Sequence, residues 1–268
     1  MVDSGRARGR SVPALVAGLD ARAPYFSRLS ARSALYTELR LLLDDRPQAM
    51  AVGTYRSLVI EENCLARSSY WARRKLWQEL HSRYRLDASD PLFAAFWAEW
   101  QRCSSDPERS LTAYVLLALN DRLVADLGTE WLFPLLRHAP TELRAADVLG
   151  FLRRLAQTHP EVAGWSETTT LAVAQKYCAS LRDFGLAKGV VKKTTVRPAL
   201  YGSPVRLLVR ALRLAGTPSL KLVGHPIYRL LAIDSTEVVH ALSELNRLGA
   251  LRFRMQGDVV ELDLADAA

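Results

Sequence analysis

The sequence predicts a mainly α-helical fold, with an N-terminal helical bundle followed by a winged-helix-like C-terminal region that carries short β-hairpins. Three observations support this. Apolar residues in the first half recur at helical spacing, as do Leu35, Leu39 and Leu42. No segment before residue 160 alternates convincingly like a strand. Two helical patterns near the end of the chain are followed by alternating segments on either side of a glycine turn.

In the first half, proline and cap signals mark where helices begin and end. Pro47 ends the helix around Leu35–Leu43, and a second helix is predicted over 54–66. A third helix is predicted from Ser69 to Leu86. Further helices are predicted from Asp90-Pro91, from Asp106-Pro107 as an apolar helix over 108–127, around 129–138 and over 145–157.

The apolar faces of two of these helices predict what they bury. Trp77, Leu80 and Tyr84 lie on one face of the third helix. Aromatic residues at helical spacing after Asp90 are expected to be core residues. The apolar run Leu111–Leu119 is too short for a membrane span, which needs about 20 residues, so we expect a buried helix and no membrane contact.

In the second half, a helix over Thr168–Phe184 is predicted to end at Gly185. Leu186–Leu200 is predicted to form a short β-ribbon, and Val205–Leu214 a further helix. The apolar face of the first helix is predicted to comprise Leu171, Ala174, Cys178 and Leu181.

The final segment predicts a winged helix. A short helix over His225–Ala232 comes before a second helix that starts near Asp234 or Ser235, both good N-caps. A hairpin follows, formed by Ala250–Met255 and Asp258–Leu264 around Gln256-Gly257. The buried side of the second helix is predicted to comprise Val238, Leu242, Leu245 and Leu248.

These elements divide the chain into four predicted regions. They are a flexible basic arm over 1–24, the helical bundle over 25–160, a basic helix-plus-ribbon region over 161–215, and the winged helix over 216–264.

The amino-acid composition indicates which cellular compartment and which class of binding partner to expect. The 268-residue chain has a formal net charge of +8, which favours anionic partners such as nucleic acid. Its three cysteines are widely spaced and odd in number, which favours a reducing compartment over a disulfide framework. With no apolar signal segment after the N-terminal arginines, we expect a cytoplasmic protein. The oligomeric state is left open.

The sequence contains no motif typical of catalysis. It has no phosphate-binding P-loop, no G-x-G-x-x-G after a strand, no G-x-S-x-G and no H-E-x-x-H. The pairs Asp44-Asp45 and Glu61-Glu62 are adjacent on predicted helices or at their ends, so their side chains point in different directions. The five histidines are scattered. We therefore predict no enzyme activity, no cofactor and no metal site.

Two segments have a strong excess of basic residues. Residues 182–229 contain ten Lys or Arg against one acid, Asp183, and residues 67–85 contain six against Glu79. Basic side chains neutralise phosphates, and short polar ones on a helix read base edges. The predicted nucleic-acid contacts are Arg67, Arg73, Arg74, Lys75, Arg85, Thr168, Thr169, Gln175, Lys176, Arg182, Lys188, Lys192, Lys193, Arg197, Arg206, Arg210, Arg252 and Arg254.

The terminal winged helix is a weaker candidate for reading DNA. The exposed face of its second helix carries Glu237 and Glu244, which would repel phosphate. Arg252 and Arg254 on the wing compensate only in part. Because winged helices also dock proteins, this region supports an adaptor function equally well.

Two stretches resemble a known family. They are "EENCLARSSYWARRKLWQELHSRYRL" after a helix containing "LYTELRLLL", and "TTLAVAQKYCASLRDFGLAKG". Their order resembles the BrxA family of BREX phage-defence systems, over most of 30–264. The matching positions in the first stretch are Asn63, Leu65, Arg67, Ser68, Arg73, Arg74, Arg83 and Tyr84.

The resemblance implies a small, non-enzymatic helical component encoded beside a methyltransferase, a large ATPase and a phosphatase-like protein. It also implies DNA binding and a role in restricting phage. Our leading hypothesis is an accessory protein that binds duplex DNA, with other BREX subunits as further candidate partners. The alternatives are an adaptor that docks another defence subunit and a transcriptional regulator of its own operon.

Overall fold

The computed structural model describes residues 16–257 and 259–264, and helices fill most of both halves, as predicted. From residue 16 to residue 163, the described chain has one very short strand among its helices. Its elements are α1 (Tyr36–Leu43), α2 (Val52–Ile60), α3 (Tyr70–Tyr84), α4 (Pro91–Trp100), α5 (Asp106–Asn120), α6 (Arg122–Asp126), a π-helical segment (Leu127–Leu132), α7 (Phe133–Arg137), β1 (Glu142–Leu143), α8 (Ala145–Ala156) and α9 (Pro160–Ala163).

The second half combines helices with two short strand pairs. A three-stranded antiparallel sheet has the order β1-β3-β2, and the last two strands form a hairpin. The elements are α10 (Glu167–Asp183), β2 (Ala187–Lys188), β3 (Lys193–Thr195), α11 (Gly202–Leu214), α12 (Ser219–Leu222), a 3-10 helix (Pro226–Leu231), α13 (Ser235–Arg247), β4 (Leu251–Gln256) and β5 (Val259–Leu264).

Side-chain caps explain why several helices begin where the sequence predicts. The Asp90 carboxylate accepts the backbone N–H groups of Leu92 and Phe93 at the start of α4. Asp234 accepts the N–H of Glu237, whose own side chain accepts the N–H of Asp234. This reciprocal capping box fixes the start of α13.

The second helix is shorter than predicted. It ends at Ile60 rather than continuing to residue 66, because Asn63 and Ala66 both adopt positive φ, at 52° and 51°. The Asn63 side chain accepts the N–H of Arg67 at 2.7 Å and donates to its carbonyl oxygen at 3.1 Å. The "ENCLAR" stretch is therefore a hydrogen-bonded loop.

The strand β1 was not predicted from the sequence, which indicated only helices before residue 160. Glu142 pairs with Thr194, and Leu143 pairs with Lys193. The Thr195 hydroxyl also accepts the N–H of Thr141 at 2.9 Å. A two-residue strand is too short to show alternation in the sequence, so periodicity could not reveal it.

The core centres on α11, which is buried from Ser203 to Val209 and packs against α4 and α5. The predicted buried segment Leu111–Leu119 lies within α5 and is buried along its whole length. One continuous apolar cluster runs from Val16 to Leu262, across the boundaries between the predicted regions.

The predicted arm over 1–24 falls partly outside the described residues. From residue 16 onward it packs on the protein, because Val16 and Ala23 are buried and the 3-10 turn at 17–19 contacts α5 and α6. A Cβ on Gly18 would lie 2.1 Å from the Ala118 carbonyl oxygen, so the chain approaches α5 too closely there for any other residue.

The apolar faces agree with the predictions except at two positions. Val238, Leu242 and Leu245 are buried in α13, as are Trp77, Leu80 and Tyr84 in α3. Leu248, however, is 68% exposed, because α13 ends before it. Leu171, near the start of α10, is also exposed. Within the described residues, no helix is long and apolar enough to cross a membrane.

Candidate nucleic-acid interface

The helix α10 presents a polar outer face. Thr168, Gln175 and Arg182 are spaced by seven residues, so they lie on one side of the helix, and all three are exposed. Lys176 is exposed beside them. Thr169 differs, because its N–H donates to the Ser166 hydroxyl and the two hydroxyls lie 2.9 Å apart at the helix cap.

The β-ribbon that the sequence predicts after α10 is present. Gly185, at φ 76°, ends the helix, and Ala187 then pairs with Thr195. Gly189 begins the turn at φ 96°, and a Cβ there would lie 2.1 Å from the Lys192 carbonyl oxygen. Only glycine fits this position, so the tight turn depends on it.

The tip of the ribbon combines exposed lysines with exposed valines. Lys188 and Lys192 are exposed on either side of Val190 and Val191, and Val191 is 91% exposed. Lys193 is half-buried, and its Nζ donates to the Val190 carbonyl oxygen at 3.0 Å, which braces the turn. Lys188 and Lys192 form no ion pair within the described part of the chain.

Arg197 does not point freely to solvent. Its guanidinium lies 2.5 Å from the Glu237 carboxylate and 3.3 Å from the Ala232 carbonyl oxygen. Arg137 pairs with the same carboxylate. Burial opposes ionisation of Glu237, but the Asp234 N–H and the two guanidinium groups outweigh it and lower the pKa of Glu237. Arg197 therefore joins the ribbon to α13.

Arg206 and Arg210 both pair with a buried carboxylate and do not join the exposed basic surface. The Arg206 Nε donates to Glu99 Oε2 at 2.7 Å, and the Arg210 Nε donates to Glu99 Oε1 at 2.9 Å. Glu99 is fully buried, and Arg206 is buried with it. Arg206 is therefore wrong as a nucleic-acid contact, because a guanidinium enclosed with its carboxylate cannot reach a phosphate. Arg210 is only half-buried, so its contact with nucleic acid stays a prediction, although its charge is paired.

The basic helix α3 also uses some of its predicted contacts internally. Arg67 lies 2.6 Å from Glu38, and Arg85 lies 2.6 Å from Asp90. The Arg73 guanidinium donates to the Ile60 carbonyl oxygen at 2.6 Å, at the end of α2. Arg74 and Lys75 remain without a carboxylate partner in the region that the structure describes.

The predicted wing contacts face acidic residues across the hairpin. Arg252 and Arg254 are exposed on β4, where Arg252 pairs in register with Asp263 and Arg254 with Glu261. Residues directly opposite in an antiparallel pair lie on the same face, so these carboxylates reduce the positive potential there. On α10, the Arg182 guanidinium lies 3.1 Å from Asp183, which offsets part of its charge. Lys176, Lys188 and Lys192 are exposed and form no ion pair within the described residues.

The structure shows two exposed features that sequence reasoning missed. The valine pair at the ribbon tip and Trp71 at the start of α3 are both strongly exposed. Apolar side chains in a basic segment look the same in sequence whether they are buried or not. Only the turn geometry at Gly189 and the position of Trp71 in the first turn of α3 place them in solvent.

The buried thiols and two of the histidines favour their neutral forms. Burial raises the pKa of Cys178 to about 11 and also raises that of Cys103, so both favour the neutral thiol. Burial lowers the pKa values of His81 and His225. Within the residues described, no group of three or more His, Cys, Asp or Glu side chains is placed to hold a metal ion.

Comparison with known proteins agrees with the resemblance seen in the sequence. The BrxA family model matches residues 23–211, which include the bundle, α10, the ribbon and most of α11. No curated protein matches the chain. Because the matched residues cover well over half of its 268 positions, the chain belongs to the BrxA family, and through that family to BREX-type phage defence.

Proposed function

We propose that this protein binds duplex DNA, without catalysing a reaction, through a surface formed by the outer face of α10 and the tip of the β-ribbon. The observation that carries the proposal is the pair Lys188 and Lys192, exposed and without ion-pair partners within the described residues. They follow a helix whose exposed side bears Thr168 and Gln175. Acting as a cytoplasmic accessory protein, it would hold DNA for other components of the defence system.

The two parts of this surface would have different tasks. Lysine side chains at the ribbon tip neutralise phosphates and add affinity that is independent of sequence. An α-helix fits the major groove, where a glutamine amide can bond to both N6 and N7 of adenine. Gln175 lies midway between Thr168 and Arg182 on the outer face of α10, so it is the side chain best placed to read a base.

The salt dependence of DNA binding tests this proposal. Fluorescence anisotropy with a labelled duplex, measured at several salt concentrations, gives a log–log slope of about −0.9 for each phosphate neutralised. We expect a slope of about −2 or steeper and similar affinity for unrelated sequences. Absence of duplex binding near physiological salt would contradict the proposal and favour the adaptor.

A specific observation also favours the adaptor as a second candidate. A groove of about 480 Å³ lies between the start of α11 and α13, and exposed Leu248 and Leu200 lie beside half-buried Tyr201. In this alternative, the winged-helix-like region docks another defence subunit through the groove. Loss of subunit capture in Leu248→Asp, with unchanged DNA binding, is its expected signature.

The regulator alternative makes a different prediction. It requires protection of one promoter sequence over unrelated DNA, which nuclease footprinting on the upstream region of the operon would measure. Equal affinity for promoter and non-promoter duplexes would favour the accessory function over the regulator.

A further inference from the structure

Trp71 is the most exposed of the six tryptophans. It is 72% exposed in the first turn of α3, whereas Trp77, Trp97, Trp100 and Trp131 are buried and Trp165 is half-buried. Tyr70 beside it is also exposed. Large aromatic rings in water are costly to leave uncovered, so two adjacent ones indicate a binding surface.

Arginine side chains hold these two rings. The Arg74 guanidinium lies 5.9 Å from the Tyr70 ring centroid and 5.3 Å from that of Trp71. Arg73 lies 5.9 Å from the Tyr70 ring, and its hydrogen bond to the Ile60 carbonyl oxygen fixes it to the end of α2. The rings are therefore positioned by their neighbours while most of the Trp71 surface stays accessible.

The charge around the rings favours an anionic ligand. Arg74 and exposed Lys75 have no carboxylate partner within the described residues. Nearby Glu61 lies 3.8 Å from Arg56, which offsets part of its charge. An exposed tryptophan ring bordered by two cations that lack carboxylate partners within the described residues matches a nucleotide, whose base is planar and whose phosphate is negative.

We infer that the Trp71 ring, which meets the Tyr70 ring edge-to-face at 71°, is a stacking platform for an unpaired base of DNA, with Arg74 and Lys75 holding the adjacent phosphate. The inference rests on the DNA binding proposed above but concerns a second site. Bases inside a duplex expose no free face to a ring, so the platform would select single-stranded or flipped-out nucleotides. It would direct the protein to junctions between duplex and single strand.

The platform lies at the start of α3, whereas the connection between α3 and α10 is made near the end of α3. The Arg83 guanidinium makes that connection by donating to the carbonyl oxygen of Arg28, in a second 3-10 turn (Arg28–Ser30) that contacts α10. Arg83 is twelve residues beyond Trp71 along α3, which corresponds to roughly 18 Å at 1.5 Å per residue.

Anisotropy with three matched DNAs tests the inference. They are a blunt duplex, the same duplex with a ten-nucleotide thymidine extension, and the same duplex with an abasic extension of equal length. We expect the thymidine extension to tighten binding about tenfold over the abasic one. Trp71→Ala should abolish that difference and leave blunt-duplex affinity unchanged, while Trp71→Phe should retain part of it.

A control and a second readout make the result decisive. Leu220→Ala removes another exposed apolar side chain and should keep the full difference. In the wild-type protein, an oligothymidine should shield tryptophan fluorescence from acrylamide, and this measurement needs no variant. Failure to bind the blunt duplex would remove the proposed function. Equal affinity for the thymidine and abasic extensions would overturn the platform alone. So would an unchanged difference between the two extensions in Trp71→Ala. Either result would favour a protein partner at Trp71 instead.

Discussion

The Arg197 guanidinium lies 2.5 Å from the Glu237 carboxylate and so ties the end of the β-ribbon to the first turn of α13. Arg137, at the end of α7, binds the same carboxylate. The ribbon therefore emerges from an ion-paired base while its tip extends into solvent. This arrangement separates residues that would bind DNA from basic residues that position the ribbon.

Removing the ribbon-tip lysines should weaken DNA binding without affecting the fold. In the double variant Lys188→Ala and Lys192→Ala, the log–log slope of affinity against salt concentration should become less steep by up to about 0.9 for each lysine removed. Affinity should fall similarly for all sequences, and the free energy of unfolding should change little, because exposed charges contribute little to stability. Arg22→Ala with Lys221→Ala removes the same charge elsewhere on the surface and is the control. Equal loss in both pairs would refute the ribbon as the binding site.

Gln175→Ala should change sequence preference more than overall affinity. If Gln175 bonds to an adenine edge, its loss should reduce discrimination at that base pair by about 1–3 kcal/mol. Selection of bound duplexes from a random pool, for wild type and variant, measures this. Gln157→Ala, an exposed glutamine after α8, provides the control. Identical selected pools for all three proteins would show that α10 does not read bases.

Leu242→Ala should destabilise the protein by roughly 2–5 kcal/mol, as for other large-to-small core changes. Leu242 is fully buried in α13, whereas Leu248, just beyond the same helix, is mostly exposed. Leu248→Ala should therefore leave the free energy of unfolding nearly unchanged. Urea denaturation of both variants makes the comparison. A similar loss of unfolding free energy in the two variants would contradict the burial of Leu242 and the exposure of Leu248.

Glu99→Gln should destabilise the core by roughly 3–5 kcal/mol, because it leaves the buried Arg206 and the half-buried Arg210 without their carboxylate. Both Arg206 and Arg210 donate to Glu99 through Nε. The measurement is denaturant unfolding, with Glu244→Gln, on the exposed face of α13, as control. A stable Glu99→Gln variant with altered DNA binding would instead return Arg206 to the interface.

The ion pairs of Glu237 should make stability depend on pH on the acidic side. The pKa of Glu237 is lower in the folded protein than in an unfolded chain. Its contribution is therefore complete above the ordinary glutamate pKa of about 4.3 and is lost as pH falls through the lower folded value. Glu237→Gln should be less stable than wild type near neutral pH, and the difference should shrink below about pH 4. A constant difference from pH 7 to pH 3 would contradict this.

The sequence was sufficient to predict helices that have strong local signals. Asp90-Pro91 places a cap and a first-turn proline together, and α4 begins there. Local signals also predicted α10, whose end is marked by Gly185 at positive φ, and the ribbon over Leu186–Leu200 that follows it. In contrast, Asn63 and Ala66 adopt positive φ without being glycine, so the end of α2 was placed six residues too late.

The candidate site was harder to predict, because a basic residue has the same appearance in sequence whether its charge is free or paired. Arg206 and Arg210 meet a carboxylate more than one hundred residues earlier in the chain. Arg197 meets one forty residues later. Such pairs depend on how helices pack, which no local pattern encodes, so the ten-to-one basic excess overstated the exposed charge.

Arg83 has a consequence for how the chain assembles. Its buried guanidinium donates to the carbonyl oxygens of Arg28 and Arg32, and its own carbonyl oxygen accepts from the Asn120 amide. During synthesis, residues 28–32 leave the ribosome long before the groups that hold them. Because contacts that close long loops form slowly, residues 28–32 should dock only after the helix that carries Arg83 has been made and positioned.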